Sequence, residues 1–146
     1  MGNKIYLRLD KNDEVLTSIL KTCQEQDVAS ATFSGLGACD KVTVGTYIPE
    51  NDDFQLHTKK AMLEMISLTG NVTQNESHSK VGIHAHALFT YLDRDRNEIN
   101  YFGGDLKLAN IMYTGEITIE PVQDGVISKK FDSNVGIDVW NFESKK

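Results

Sequence analysis

The residues most able to do chemistry lie in one stretch, Lys80-Val81-Gly82-Ile83-His84-Ala85-His86-Ala87-Leu88-Phe89-Thr90-Tyr91, where two histidines stand two positions apart. In an extended chain alternate side chains share a face, so His84 and His86 point the same way, about 6.5–7 Å apart along the strand. That spacing lets both imidazoles reach one metal ion or one anionic ligand. Downstream, Asp105 follows the pair Gly103-Gly104, where a backbone without side chains can approach a site closely. Two imidazoles and one carboxylate are a ligand set for a divalent ion such as zinc, with a further position left open for water. A His-x-His pair on a strand also serves as two half-buried residues bonded to nearby carbonyls, or as part of a subunit interface. On sequence all of these readings stand.

A further acid is Glu64, inside Met62-Leu63-Glu64-Met65-Ile66-Ser67-Leu68-Thr69-Gly70-Asn71-Val72. This run is apolar at both parities apart from Glu64 and Ser67, the pattern of a central strand covered on both sides. A carboxylate embedded there needs a partner or takes a raised pKa. Glu64 is therefore the candidate general base, with a structural hydrogen bond to a neighbouring strand end as the alternative.

The elements that must hold these residues are mostly strands. Lys4-Ile5-Tyr6-Leu7-Arg8-Leu9 alternates with period two. Asp10 to Asp13 offer capping residues, and Val15, Leu16, Ile19, Leu20 and Cys23 then recur at helical spacing, predicting one amphipathic helix of about three turns that ends near 24–27. Residues 28–33 and 41–48 read as strands joined tightly through Gly35-Leu36-Gly37-Ala38. That segment lacks the third glycine or Gly-Lys-Ser/Thr ending of a phosphate loop and does not open a helix. Pro49 to Asp53 is a turn, 74–79 a polar loop in which His78 is simply solvated, and Asp93 to Glu98 a charged hairpin tip. Strands follow at 99–102 and 113–120, and the apolar content of the tail, including Phe131, Trp140 and Phe142, predicts that it packs onto something. The expected class is α+β, a mostly antiparallel sheet with one principal helix, in a single domain over 1–146 with its core at about 5–120 and a packed tail at 121–146.

The chain has 146 residues, 25 % of them charged and 40 % hydrophobic, and a formal net charge of −6. A protein that grips duplex DNA mainly through phosphates carries a basic footprint, and here the lysines are scattered. Two cysteines without paired spacing, Cys23 and Cys39, fit reduced thiols and a cytoplasmic setting. No stretch approaches the roughly 18 apolar residues of a membrane span.

In order and spacing, several segments resemble the plants-and-prokaryotes conserved (PPC) domain family, the domain that accompanies AT-hooks in plant nuclear proteins. The resemblance rests on Arg8-Leu9-Asp10, Gly35-Leu36-Gly37-Ala38, Leu63-Glu64-Met65-Ile66-Ser67-Leu68-Thr69-Gly70-Asn71, His84-x-His86 and Gly103-Gly104-Asp105-Leu106. It implies an α+β fold, a homotrimer, and a role as an interaction module associated with DNA or DNA-binding proteins. It also implies, as the alternative, a metal-dependent enzyme or small-ligand binder using His84, His86 and Asp105. Many prokaryotic relatives have His after the Gly-Gly pair, where this chain has Asp105, and the AT-hook is absent from this sequence.

Overall fold

The computed structural model describes residues 3–144. Their order is β1 (Ile5–Asp10), α1 (Val15–Glu25), β2 (Ala31–Ile48), β3 (Asp53–Gln74), β4 (Val81–Asp93), β5 (Glu98–Pro121), β6 (Gly125–Asp132) and β7 (Ile137–Ser144). The pairings are antiparallel apart from a single parallel bridge, Gln74 to Ser128, between β3 and β6. This is the mixed fold with one principal helix that periodicity predicts.

β2 pairs with β3, β3 with β4, β4 with β5, and β5 returns to β2, so these four strands form a hydrogen-bonded circuit. Closure leaves an inner and an outer face, and period-two alternation sorts side chains between them. On β4 the inner set is Ala85, Ala87 and Phe89, all buried, whereas His84, His86, Leu88 and Leu92 face outward. The inner face meets Leu9, Leu63, Met65, Leu68, Val72, Ile111 and Ile119 in one continuous core. Burying a side chain of this size contributes about 1.5–3 kcal/mol relative to exposure.

The helix adds Val15, Leu16, Ile19 and Cys23 to that core. Its N-cap is Glu14 rather than a residue of the Asp10–Asp13 run. One carboxylate oxygen accepts from Thr17 N at 2.9 Å, and the other accepts from Leu16 N at 3.1 Å and from Ala109 N on β5 at 3.0 Å. The same group thus caps the helix and ties it to the sheet. At the far end Asp27 takes the left-handed conformation (φ 57°), while Val28 N donates to Cys23 O and Asp27 N to Gln24 O. This is a Schellman closure with aspartate in the place usually held by glycine.

Three expectations change. The two strands expected at 28–33 and 41–48 are one strand, β2, and the Gly35–Ala38 segment is a site of register shifts inside it. The segments at 99–102 and 113–120 likewise belong to the single strand β5. Finally, β3 is covered on one side only: Leu63, Met65 and Leu68 are buried, whereas Met62, Glu64 and Ile66 are exposed. Glu64 is therefore not an embedded carboxylate. The apolar side chains at its parity lie on the outer surface, which made a one-faced strand look two-faced.

Both cysteines are free and buried. Burial first, then the negative charges of Asp40 and Glu14, push the Cys39 thiol up to about 12, which leaves it inert as a nucleophile at neutral pH. No helix among the described residues is long and apolar enough to cross a membrane.

Candidate functional site

β4 and β5 place the outward residues of the site in register. His86 pairs with Asp105 across the two strands, and His84 lies two residues away on the same face. Asp105 sits where β5 is bonded on both sides, to His86 of β4 and to Gly45 of β2. Such crowding accounts for the two glycines before it. A Cβ at Gly103 would stand 2.6 Å from Ala87 O, and Gly104 has φ +153° with Gly45 O only 2.9 Å from where its Cβ would be. The Gly-Gly pair is therefore a close three-strand crossing within one continuous strand.

His84 Nε2 lies 3.0 Å from Asp105 Oδ2 and His86 Nε2 lies 3.9 Å from the same oxygen. The imidazoles meet edge to face, with ring centroids 5.0 Å apart. Among the described residues this is the only group of three His, Cys, Asp or Glu side chains whose ligand atoms gather closely, all within 4.8 Å of one another. Ligands about 2.0–2.2 Å from a tetrahedral zinc lie roughly 3.3–3.5 Å apart. The set thus fits a divalent ion after small side-chain rotations. Those rotations are available, since the histidine side chains are 47 % and 68 % exposed while Asp105, at 12 %, is fixed by its surroundings. A metal there would be held by His84, His86 and Asp105 and would supply a Lewis acid with a position open to solvent.

Lys107, two residues beyond Asp105 and on its face, has Nζ 3.1 Å from Asp105 Oδ1 and 4.0 Å from the centre of the Phe54 ring. The ammonium engages one carboxylate oxygen and leaves the other to the histidines. Asn71 pairs with His84 on the opposite side, from β3, and its Oδ1 is buried without a hydrogen-bond partner. An orphaned acceptor of this kind costs about 1–3 kcal/mol.

Two hollows flank His86. One, of about 270 Å³, is bounded by Ser67, Thr69, Leu88 and Asp105; the other, of about 260 Å³, by Thr32, Thr69, Asn71, His84 and Trp140. A larger hollow of about 460 Å³ lies away from this cluster, between the end of α1 and the β3–β4 end, lined by Leu20, Cys23, Val28, Gln74 and Val81. Its walls are mainly apolar, and burial raises the pKa of its one thiol. Ionisable groups converge at the smaller hollows, and chemistry follows convergence more than volume.

Glu64 does not join the cluster. It pairs with Thr90 and Ala38, five residues along β3 from Thr69, the partner of His86. At about 3.3 Å per residue this is roughly 16 Å away, too far for proton transfer to anything held by the histidines. His78 proves to be more than a solvated loop residue: its Nε2 is 2.7 Å from Glu143 Oε2 of β7. Lys107, Asn71 and Trp140 were not anticipated from sequence. Lys107 was accessible to the same period-two rule that groups the histidines, because 105 and 107 share a face.

The family model of the Plants and Prokaryotes Conserved (PCC) domain, also abbreviated PPC, matches residues 1–123. The chain belongs to this family. The hairpin β6–β7, beginning at Gly125, lies beyond the matched span. Similar solved structures agree on the fold of the PPC domain. A Bacteroides thetaiotaomicron protein, described as a proposed DNA-binding protein, superposes with TM-score 0.84 at 22 % identity, covering 97 % of this chain and 94 % of its own. A metal-containing protein from Archaeoglobus fulgidus gives 0.82 at 26 % identity, covering 96 % and 94 %. A plant- and prokaryote-conserved protein from Pyrococcus horikoshii gives 0.80 at 24 % identity, covering 99 % and 94 %. No curated protein matches the sequence.

Proposed function

We propose that this PPC-domain chain is a homotrimeric binding module that holds a divalent metal ion, zinc foremost, at His84, His86 and Asp105. The observation that carries this reading is the convergence of the three ligand atoms within 4.8 Å on one outward face. The description of the Archaeoglobus fulgidus relative as metal-containing supports it. Asp105 supplies the anionic ligand that offsets part of the ion's charge, and the exposed histidines can turn to meet the ion.

Self-association is supported by an outward apolar strip continuous with the site. Leu88 and Leu92 on β4, Met62 and Ile66 on β3, and Ile99 and Tyr101 on β5 are each between 42 % and 71 % exposed, and the register places Thr90 beside both Glu64 and Tyr101 at its centre. An exposed surface this rich in apolar side chains supports an interface.

The test is metal content after purification without a histidine tag. One equivalent per chain is expected, falling to background in His84→Ala; clean protein that holds no ion and takes up none overturns the reading. A second reading, association with DNA or DNA-binding proteins, is favoured by the descriptions of the similar Bacteroides and Ralstonia eutropha proteins. The net charge of −6 favours partner proteins over bare duplex for any such contact.

A further inference from the structure

Trp140 comes from the hairpin β6–β7, outside the span that defines the family. The hairpin is seated on the body by contacts distinct from the bridge at Gln74. His78 Nε2 lies 2.7 Å from Glu143 Oε2, an oxygen that also accepts from Ser128 Oγ within the hairpin at 2.7 Å, and Ile127 N donates to Ser30 Oγ at 3.1 Å. With the hairpin seated, the indole walls the hollow that holds Thr32, Asn71 and His84. It also packs edge to face with Phe142, ring centroids 5.9 Å apart. Thr69 and His86 border both hollows, so the two spaces meet at His86. Asp105 borders one space, with Lys107 Nζ 3.1 Å from its Oδ1; His84 and Trp140 border the other, and His86 lines both.

The charges specify what this cleft would accept. Asp105 already has a counter-charge in Lys107, 3.1 Å away. A divalent ion held by that carboxylate and two neutral imidazoles would therefore keep a net positive charge at an open position, which calls for an anionic oxygen. A step between successive same-face positions on a strand is about 6.5–7 Å, the length of a six-membered ring with a carboxyl group. Building on the proposed metal site, we infer that the two hollows beside His86 form one binding site for a small planar carboxylate. Its carboxylate would sit at the metal and Lys107, and its flat apolar part would lie against Trp140.

Benzoate is a suitable probe, and Trp140 is the only tryptophan of the chain, so its emission reports on the cleft directly. Zinc content is measured first, on the full chain. Benzoate titrated into zinc-loaded protein, followed by calorimetry and by Trp140 emission, should bind saturably and shift the emission, and should fail to bind metal-free protein. Trp140→Ala should weaken benzoate at least tenfold while keeping one zinc per chain, and Trp140→Phe should restore most of the affinity. Lys107→Met should weaken benzoate and tighten zinc, two changes of opposite sign that a merely structural lysine would not produce. If zinc binds in full but benzoate does not, or binds equally to Trp140→Ala, the carboxylate site is overturned and the metal reading survives. Inorganic phosphate binding as tightly as benzoate, without dependence on Trp140, also overturns it. If zinc itself does not bind, the metal reading falls and this inference falls with it.

Discussion

Asp105→Asn is the sharpest perturbation of the proposed site, because it keeps the shape of the side chain and removes its charge. Asp105 Oδ2 faces both histidines and Oδ1 faces Lys107. At a ligand distance of about 2.1 Å, a unit charge opposite a divalent ion is worth about 4 kcal/mol even at the dielectric constant of water. Lys107 adds to the loss. In the native cluster its charge is offset, whereas beside an amide it stands about one side chain from the ion and repels it by an additional amount of order 1 kcal/mol. The expected result is a fall in zinc affinity of at least a hundredfold, with the fold intact. Calorimetry against a zinc buffer gives the affinity and circular dichroism checks the fold. Because the histidine side chains are 47 % and 68 % exposed, salt screens the Lys107 part, and the loss should shrink modestly between low and physiological ionic strength. Unchanged affinity in a folded variant would refute the assignment of Asp105 as a ligand.

Other consequences can be measured independently. Glu14→Ala removes the helix cap and leaves Ala109 N without its acceptor; a cap of about 1 kcal/mol and an orphaned amide of about 1–3 kcal/mol predict a loss of roughly 2–4 kcal/mol. In a chain of this size that lowers the melting temperature by about 5–15 °C, and an unchanged melting curve would contradict the dual role of Glu14. The Glu143 carboxyl is held below its ordinary value of 4.5, first by the Ser128 hydroxyl and then by His78. Its folded pKa is depressed, so its contribution is full above about pH 4.5 and lost as the pH falls through the folded value. Trp140 emission should therefore change on acidification below that point, and Glu143→Gln should abolish this step. Ile66→Asp, in the middle of the exposed apolar strip, should shift the mass in light scattering from three chains toward one; an unchanged mass would exclude that strip from the interface. A gel-shift titration with duplex DNA should show no retardation by the protein alone at physiological salt, and retardation that persists there and weakens as salt is raised would make direct DNA binding the leading reading.

Much of the site could be read from the chain because the rule it rests on is local. Alternation alone put His84 and His86 on one face, and Asp105 stood out because it follows a Gly-Gly pair, read as a bend where the backbone can approach a site closely. What alternation could not show was which face is inside. Met62 and Ile66 suggested a strand covered on both sides, yet they lie on the outer surface of a closed circuit, and Glu64 is exposed with them. Inside and outside are set by β5 returning to β2, a pairing between residues 60 or more positions apart in sequence, such as Gly45 and Asp105. The seam within β2 was misplaced for a related reason, since bulges preserve a strand while interrupting its period. Trp140 was beyond reach because its position depends on Ser128, Glu143 and His78 closing a long-range contact, and His78 had looked like an idle loop residue.

The proposed function requires one ion held by three side chains, His84, His86 and Asp105. Diffraction data collected across the zinc absorption edge, from crystals of zinc-loaded protein, test it most directly. The expected result is one anomalous peak per chain, bounded by His84 Nε2, His86 Nε2 and Asp105 Oδ2 at about 2.0–2.2 Å. Crystals soaked in excess zinc that show no peak there, with the three side chains still gathered, would contradict it.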